Sequence, residues 1–154
     1  MIAVEPSEVA CSAARRLFGL PAVCASAEVL PFAAAQFHSA LLLGVCSVVA
    51  NSDAVLREAR RVANKLAVLD YAAAGSEPVS AGGSTFLPSQ VFTRSIHRAG
   101  WTVAQVSDVV PPTPASWTSA ADSIDVENDP GEAEVASAIA EGKIIPFMMI
   151  AVPS

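Results

Sequence analysis

Apolar and polar positions follow different periods in different parts of this chain, and one block has almost no polar period at all. Between residues 29 and 52 there is no Asp, Glu, Lys or Arg, and within 31–50 (PFAAAQFHSALLLGVCSVVA) only Gln36, His38, Ser39 and Ser47 interrupt the apolar run. Taken as a helix, this block is apolar nearly all round, as expected of a helix buried in a core, a partner or a bilayer. Pro31 is tolerated in a first turn, and Asn51 followed by Ser52 suits a stop and an immediate new N-cap. The pattern predicts two antiparallel helices joined by a tight turn.

The second of these, 53–73, places Val55, Ala59, Val62, Leu66 and Leu69 on one stripe at spacings of three and four. Before the apolar block, Ser7 reads as an N-cap, Glu8 complements the helix dipole, and Gly19 with Pro21 makes a stop, which predicts a helix over 8–18 with Ala10, Ala13, Leu17 and Phe18 inward. The composition of 75–88 (GSEPVSAGGSTFLP) predicts an exposed loop between a helical half, 1–74, and a mixed half, 89–154. In the mixed half Ser89 caps a short helix carrying Val91, Phe92, Ile96 and Ala99, and a strand runs from Trp101 to Val106. A capping box at Asp129-Pro130-Gly131-Glu132 opens a second helix, and 144–152 is a strand whose Pro146 belongs at an edge or bulge. The proline-rich connector VVPPTPASW lies between the two units, with Thr113 as a cap. Three helices followed by two helix-strand units predict one α+β domain.

Composition sharpens the picture at one point. Only 16% of the 154 residues are charged, against about 25% in ordinary soluble domains. Lysine is confined to Lys65 and Lys143, with arginine supplying the remaining basic residues. That is the bias of surfaces covered by partners, although GC-rich codons produce the same preference for arginine. The net charge of −6 and pI near 4.7 exclude a generally basic nucleic-acid surface. Cys11, Cys24 and Cys46 offer neither a C-x-x-C pair nor an even framework, so no zinc site or disulfide set is indicated. The start, MIAVEPSEV, lacks the basic region of a secretory signal, and the expected location is the cytoplasm or a virion.

Candidate chemistry is thin. The block 31–50 is long enough to span a bilayer, but its polar first half and the absence of flanking Lys or Arg favour a buried helix. The acidic run Asp122, Asp125, Glu127, Asp129, Glu132 and Glu134 invites a calcium reading, but aligned on Asp125, Glu127 and Asp129 the loop has Pro130 where the turn glycine belongs and Ala136 where the bidentate glutamate belongs. Gly82-Gly83-Ser84 lacks the lysine and spacing of a phosphate loop, while Ser84, His97 and Asp108 form a conceivable but unspecific trio. Arg57, Arg60, Arg61 and Lys65 fall on one face of the predicted second helix and would meet an acidic surface, or simply water.

These features predict a non-catalytic assembly subunit, such as a viral coat or capsid-decorating protein. It would take protein partners (self or a larger subunit) and no cofactor or metal. Phe32, Phe37, Leu41, Leu42, Leu43 and Val45 would supply a buried interface helix, and the Arg57, Arg60, Arg61, Lys65 stripe an interface or anion contact. The alternative is a small cytoplasmic enzyme or ligand-binding domain with a site near Ser84 and His97. A second alternative is a membrane-associated subunit held through 31–50.

Overall fold

The computed structural model of the protein describes residues 1–108 and 130–154. It opens with two successive strand-helix-strand units. In the first, β1 (Ala3–Glu5), α1 (Glu8–Phe18) and β2 (Ala22–Cys24) place the two strands parallel, with Glu5 opposite Cys24. Ser7 caps α1 by accepting from the Ala10 amide, Glu8 sits in the first turn, and Gly19 at φ 63° closes the helix in the left-handed conformation. In the second unit, β3 (Ala40–Leu43), α2 (Ser52–Val62) and β4 (Leu66–Ala73) again give a parallel pair, Ala40 opposite Leu66 and Leu43 opposite Leu69. Parallel strands require such crossovers, and a helix is the usual means.

The rest of the chain completes the larger sheet. A hairpin, β5 (Val79–Ala81) and β6 (Ser84–Phe86), turns on Gly82 and Gly83, both at positive φ as a two-residue loop demands. Then come α3 (Ser89–Arg98), β7 (Trp101–Asp108), α4 (Pro130–Ala140) and β8 (Ile144–Pro153). β8 inserts antiparallel between β4 and β7, giving the order β3-β4-β8-β7. Leu56, Leu66, Val68, Ile96, Trp101, Phe147 and Met149 form the main core between this sheet and helices α2 and α3. Trp101 is fully buried, and its indole N–H donates to the Leu56 carbonyl at 3.1 Å, which pairs its one polar atom.

The α+β expectation is therefore corrected to an α/β fold with a mixed sheet and helices between its strands. The first correction lies in the apolar block: 31–50 is not a helix but an irregular approach, strand β3 and a loop. A short run such as Ala-Leu-Leu-Leu does not reveal its period, and here Leu42 is buried while Leu41 and Leu43 point the other way. The second correction is to the 53–73 helix, which stops at Val62. Its supposed stripe runs on into β4, where Leu66, Val68, Asp70 and Ala72 are buried at every second residue. In α1 the limits 8–18 hold, but Leu17 and Phe18 are exposed and Cys11 is the buried residue.

In the 75–88 segment an exposed loop gives way to the hairpin. Pro146 sits in a central strand rather than at an edge. The described β7 ladder ends at Asp108 opposite Phe147, however, so at Pro146 the described pairing of β8 is with β4 alone. The connector with Thr113 and the acidic residues Asp122, Asp125, Glu127 and Asp129 lie outside the described residues. No described helix is long and apolar enough to cross a membrane.

Two features of the sheet bear on function. β1 and β2 pair only with each other, and β3 pairs only with β4, so among the described residues the parallel strands form two separate ladders. One face of the larger sheet is also thinly covered. The rows Leu41, Ala67, Ile150 and Leu43, Leu69, Met148 lie side by side on it, with Leu41 56% and Leu43 58% exposed.

Candidate functional site at the carboxyl ends of the parallel strands

In open sheets of this kind, ligands bind outside the carboxyl ends of the strands, where the chain switches direction across the sheet. The residues at these ends are Glu5 for β1, Cys24 for β2 and Gly44 just past β3. Glu5 is exposed, and its carboxylate makes no hydrogen bond or ion pair among the described residues. Glu8 follows in the exposed first turn of α1, while the basic residues of that helix, Arg15 and Arg16, stand in its last turn. This end is thus anionic. Gly44 has φ +61° and open space where a side chain would project.

The loop after β3 is held from beneath. Asp70 on β4 is buried, and its carboxylate accepts from the Cys46 amide at 2.7 Å and the Ser47 amide at 3.3 Å, with the Tyr71 amide on its other oxygen. A charged acceptor on two loop amides fixes the turn into α2. Burial first, and then the Asp70 charge, push the Cys46 thiol up to about 12, so it is an inert packing residue. Below the loop is a cavity of about 20 Å³ bordered by Cys46, Ser52, Asp70, Tyr71 and Phe92, with room for roughly one water molecule.

The residues singled out from the sequence are scattered. Phe32 and Phe37 meet edge to face at 4.9 Å in the approach to β3; Leu42 and Val45 join the core, while Leu41 and Leu43 face outward on β3. Arg57 is exposed on α2. Arg60 lies over the Trp101 ring at 5.4 Å and donates to the Gly100 carbonyl. Arg61 binds Glu58 and the carbonyls of Leu30 and Phe32, and Lys65 lies beyond the helix in the turn before β4. The stripe is thus two internal fasteners and two exposed cations. Of the trio, His97 Nδ1 donates to the Trp101 carbonyl at 3.0 Å, and Ser84 lies in the hairpin with its backbone opposite Ala81.

Glu5 and Asp70 were not singled out. A lone acid after three apolar residues is a weak signal until the strand-turn-helix around Glu5 is recognised, and Asp70 was hidden inside a supposed helix.

The described fold is of the Rossmann-like kind, with a mixed sheet. A family model described as a methyltransferase domain matches residues 1–69. Among solved structures with this fold, the [4+2]-cyclase SpnF is 19% identical with a TM-score of 0.77, over 99% of this chain and 66% of that one. A geranyl diphosphate methyltransferase in complex with SAM gives 14% and 0.79, over 99% and 68%. The geranyl diphosphate C-methyltransferase of Streptomyces coelicolor A3(2), with S-adenosyl-L-homocysteine, gives 13% and 0.78, over 99% and 64%. This chain therefore spans about two thirds of the length of these proteins. No curated protein sequence matches it. These matches overturn the expectation of a non-catalytic coat or decoration subunit and support the enzyme alternative.

Proposed function

We propose that the protein is a methyltransferase domain that binds S-adenosylmethionine at the carboxyl ends of β1 and β2. The observation that carries this reading is Glu5, an exposed and uncommitted carboxylate at the end of the first parallel strand. In this class of fold an acid at a strand end accepts hydrogen bonds from ribose hydroxyls. The donor set fits the nucleoside: Glu5 would hold the ribose, with the Cys24 and Ser26 turn beside it. The surrounding charge also discriminates. With Glu5 and Glu8 together and no base in the first turn of α1, a pyrophosphate would meet repulsion, whereas a ligand carrying a sulfonium cation would not.

When bound, this cofactor supplies an activated methyl group. The chain's own contribution is positional. Glu5 orients the ribose, and Asp70 fixes the loop after β3 that would border the methyl acceptor. The acceptor is unassigned. Isothermal titration with S-adenosylhomocysteine tests the assignment: Glu5→Gln should bind at least tenfold more weakly, a loss of about 1.4 kcal/mol. Unchanged affinity in the variant, or tighter binding of NADH than of S-adenosylhomocysteine, would refute it.

Protein partners are proposed alongside, on a separate observation. The exposed rows around Leu41, Leu43 and Leu69 form an apolar face that a second copy or a larger subunit would cover.

A further inference from the structure

Cys11 and Cys24 are thirteen residues apart in sequence, yet both reach the end of β1. Cys11 Sγ, buried in α1, donates to the Glu5 carbonyl at 3.5 Å, and Cys24 Sγ, exposed at the end of β2, donates to the next carbonyl, Pro6, at 3.4 Å. The two thiols thus sit on adjacent carbonyls of one turn, and the Cys24 thiol is pushed up by desolvation first, then by Cys11 and by Glu8. Both are free. The third cysteine, Cys46, belongs to the other ladder and is held beside Asp70.

We propose that Cys11 and Cys24 form a redox-sensitive dithiol whose oxidation clasps α1 to β2 across the carboxyl end of β1. The oxidant class is a low-molecular-weight disulfide such as glutathione disulfide. Exposed Cys24, through the small thiolate fraction that its raised value leaves, attacks one oxidant sulfur; a sulfur-sulfur bond forms to Cys24 and one glutathione thiolate departs. Cys11 then attacks the Cys24 sulfur and expels the second glutathione. The two protein thiol protons end on two glutathione thiols, and the two electrons lost by the cysteines reduce the oxidant.

The geometry gives the clasp a consequence. β1 and β2 are three residues each and, among the described residues, pair only with each other, a unit marginal without further support. A covalent tie from helix to strand end would hold it closed. It would also remove both S–H donors from the carbonyls of Glu5 and Pro6. The proposal rests on the thiol geometry and stands whether or not a nucleoside binds at Glu5.

The test is to incubate the folded protein with glutathione disulfide, quench with acid, and determine intact mass and a peptide map, with Cys46→Ser and Cys24→Ser in parallel. The expected result is loss of the mass of two hydrogens, a Cys11–Cys24 linked peptide, the same link in Cys46→Ser, none in Cys24→Ser, and amide exchange in 8–18 slowed at least tenfold on oxidation. Cys24 is exposed, so its serine variant should fold, as circular dichroism would confirm. A lasting glutathione adduct on Cys24 with Cys11 still free, a link to Cys46, a cross-linked dimer, or unchanged exchange in 8–18 would each overturn the proposal.

Discussion

Asp70 is the buried charge on which the second half of the site depends. Its carboxylate serves the amides of Cys46, Ser47 and Tyr71, and removing it leaves buried donors without a partner. Asp70→Ala should cost roughly 1–3 kcal/mol in urea unfolding, and Asp70→Asn less, because one amide oxygen can still accept. The Cys46 thiol beside it makes a prediction about pH. Its value is raised from 9.0 to about 12 in the folded protein, so the fold keeps the proton that the unfolded chain begins to release near pH 9. Stability from this group is complete below pH 9 and declines as pH rises beyond it, and Cys46→Ala should flatten that decline in unfolding curves taken between pH 8 and 10. At the other end of the scale, Glu58 is held below the usual carboxylate range by the Arg61 guanidinium. Its contribution is present above pH 4.5 and is lost as pH falls through the lowered value. The pair is partly exposed, so the effect is small.

At the scale of elements, local signals decided what could be read. α1 was legible to the residue because its cap, dipole and stop are all local: Ser7, Glu8 and Gly19. Ser7→Ala should cost about 1 kcal/mol of stability. Helix α3 was legible from its apolar spacing and the stop at Gly100, although the expected Ser89 cap is not made and Pro88 stands at that position; the strands on either side of α4 were legible from their apolar runs. β3 and β4 were not, because Ala-Leu-Leu-Leu carries no period, and Val62, Leu66 and Leu69 satisfy a helical stripe while Leu66, Val68 and Ala72 satisfy a strand. Only partners distant in sequence choose between them: Leu42 opposite Val68, and Val68 opposite Met149. The hairpin was half legible. Gly82-Gly83 announced a turn, but the fit of Gly82 against α4 needs tertiary structure. A Cβ there would come within 2.8 Å of Val135 Cγ2 at φ +58°, so Gly82→Ala should destabilise by about 1–3 kcal/mol, measurable by thermal unfolding.

Across the whole molecule, the low charge read from the sequence has a structural counterpart in the apolar face of Leu41, Leu43, Leu69, Met148 and Ile150. A face of this kind drives association, and replacing Leu41 and Leu43 with lysine should lower any concentration-dependent self-association seen by sedimentation velocity. The site itself was nearly illegible from sequence. Glu5 gains meaning only when β1 and β2 are known to be parallel and the acid is seen to end a strand. The proposed cofactor site lies at that end of the fold. Titrating isotope-labelled protein with S-adenosylhomocysteine and following backbone amides by NMR should produce saturable shifts concentrated at Glu5 to Glu8, Cys24 to Glu28 and Gly44 to Ser47. No saturable shifts, or shifts centred instead on Ser84 and His97, would contradict it.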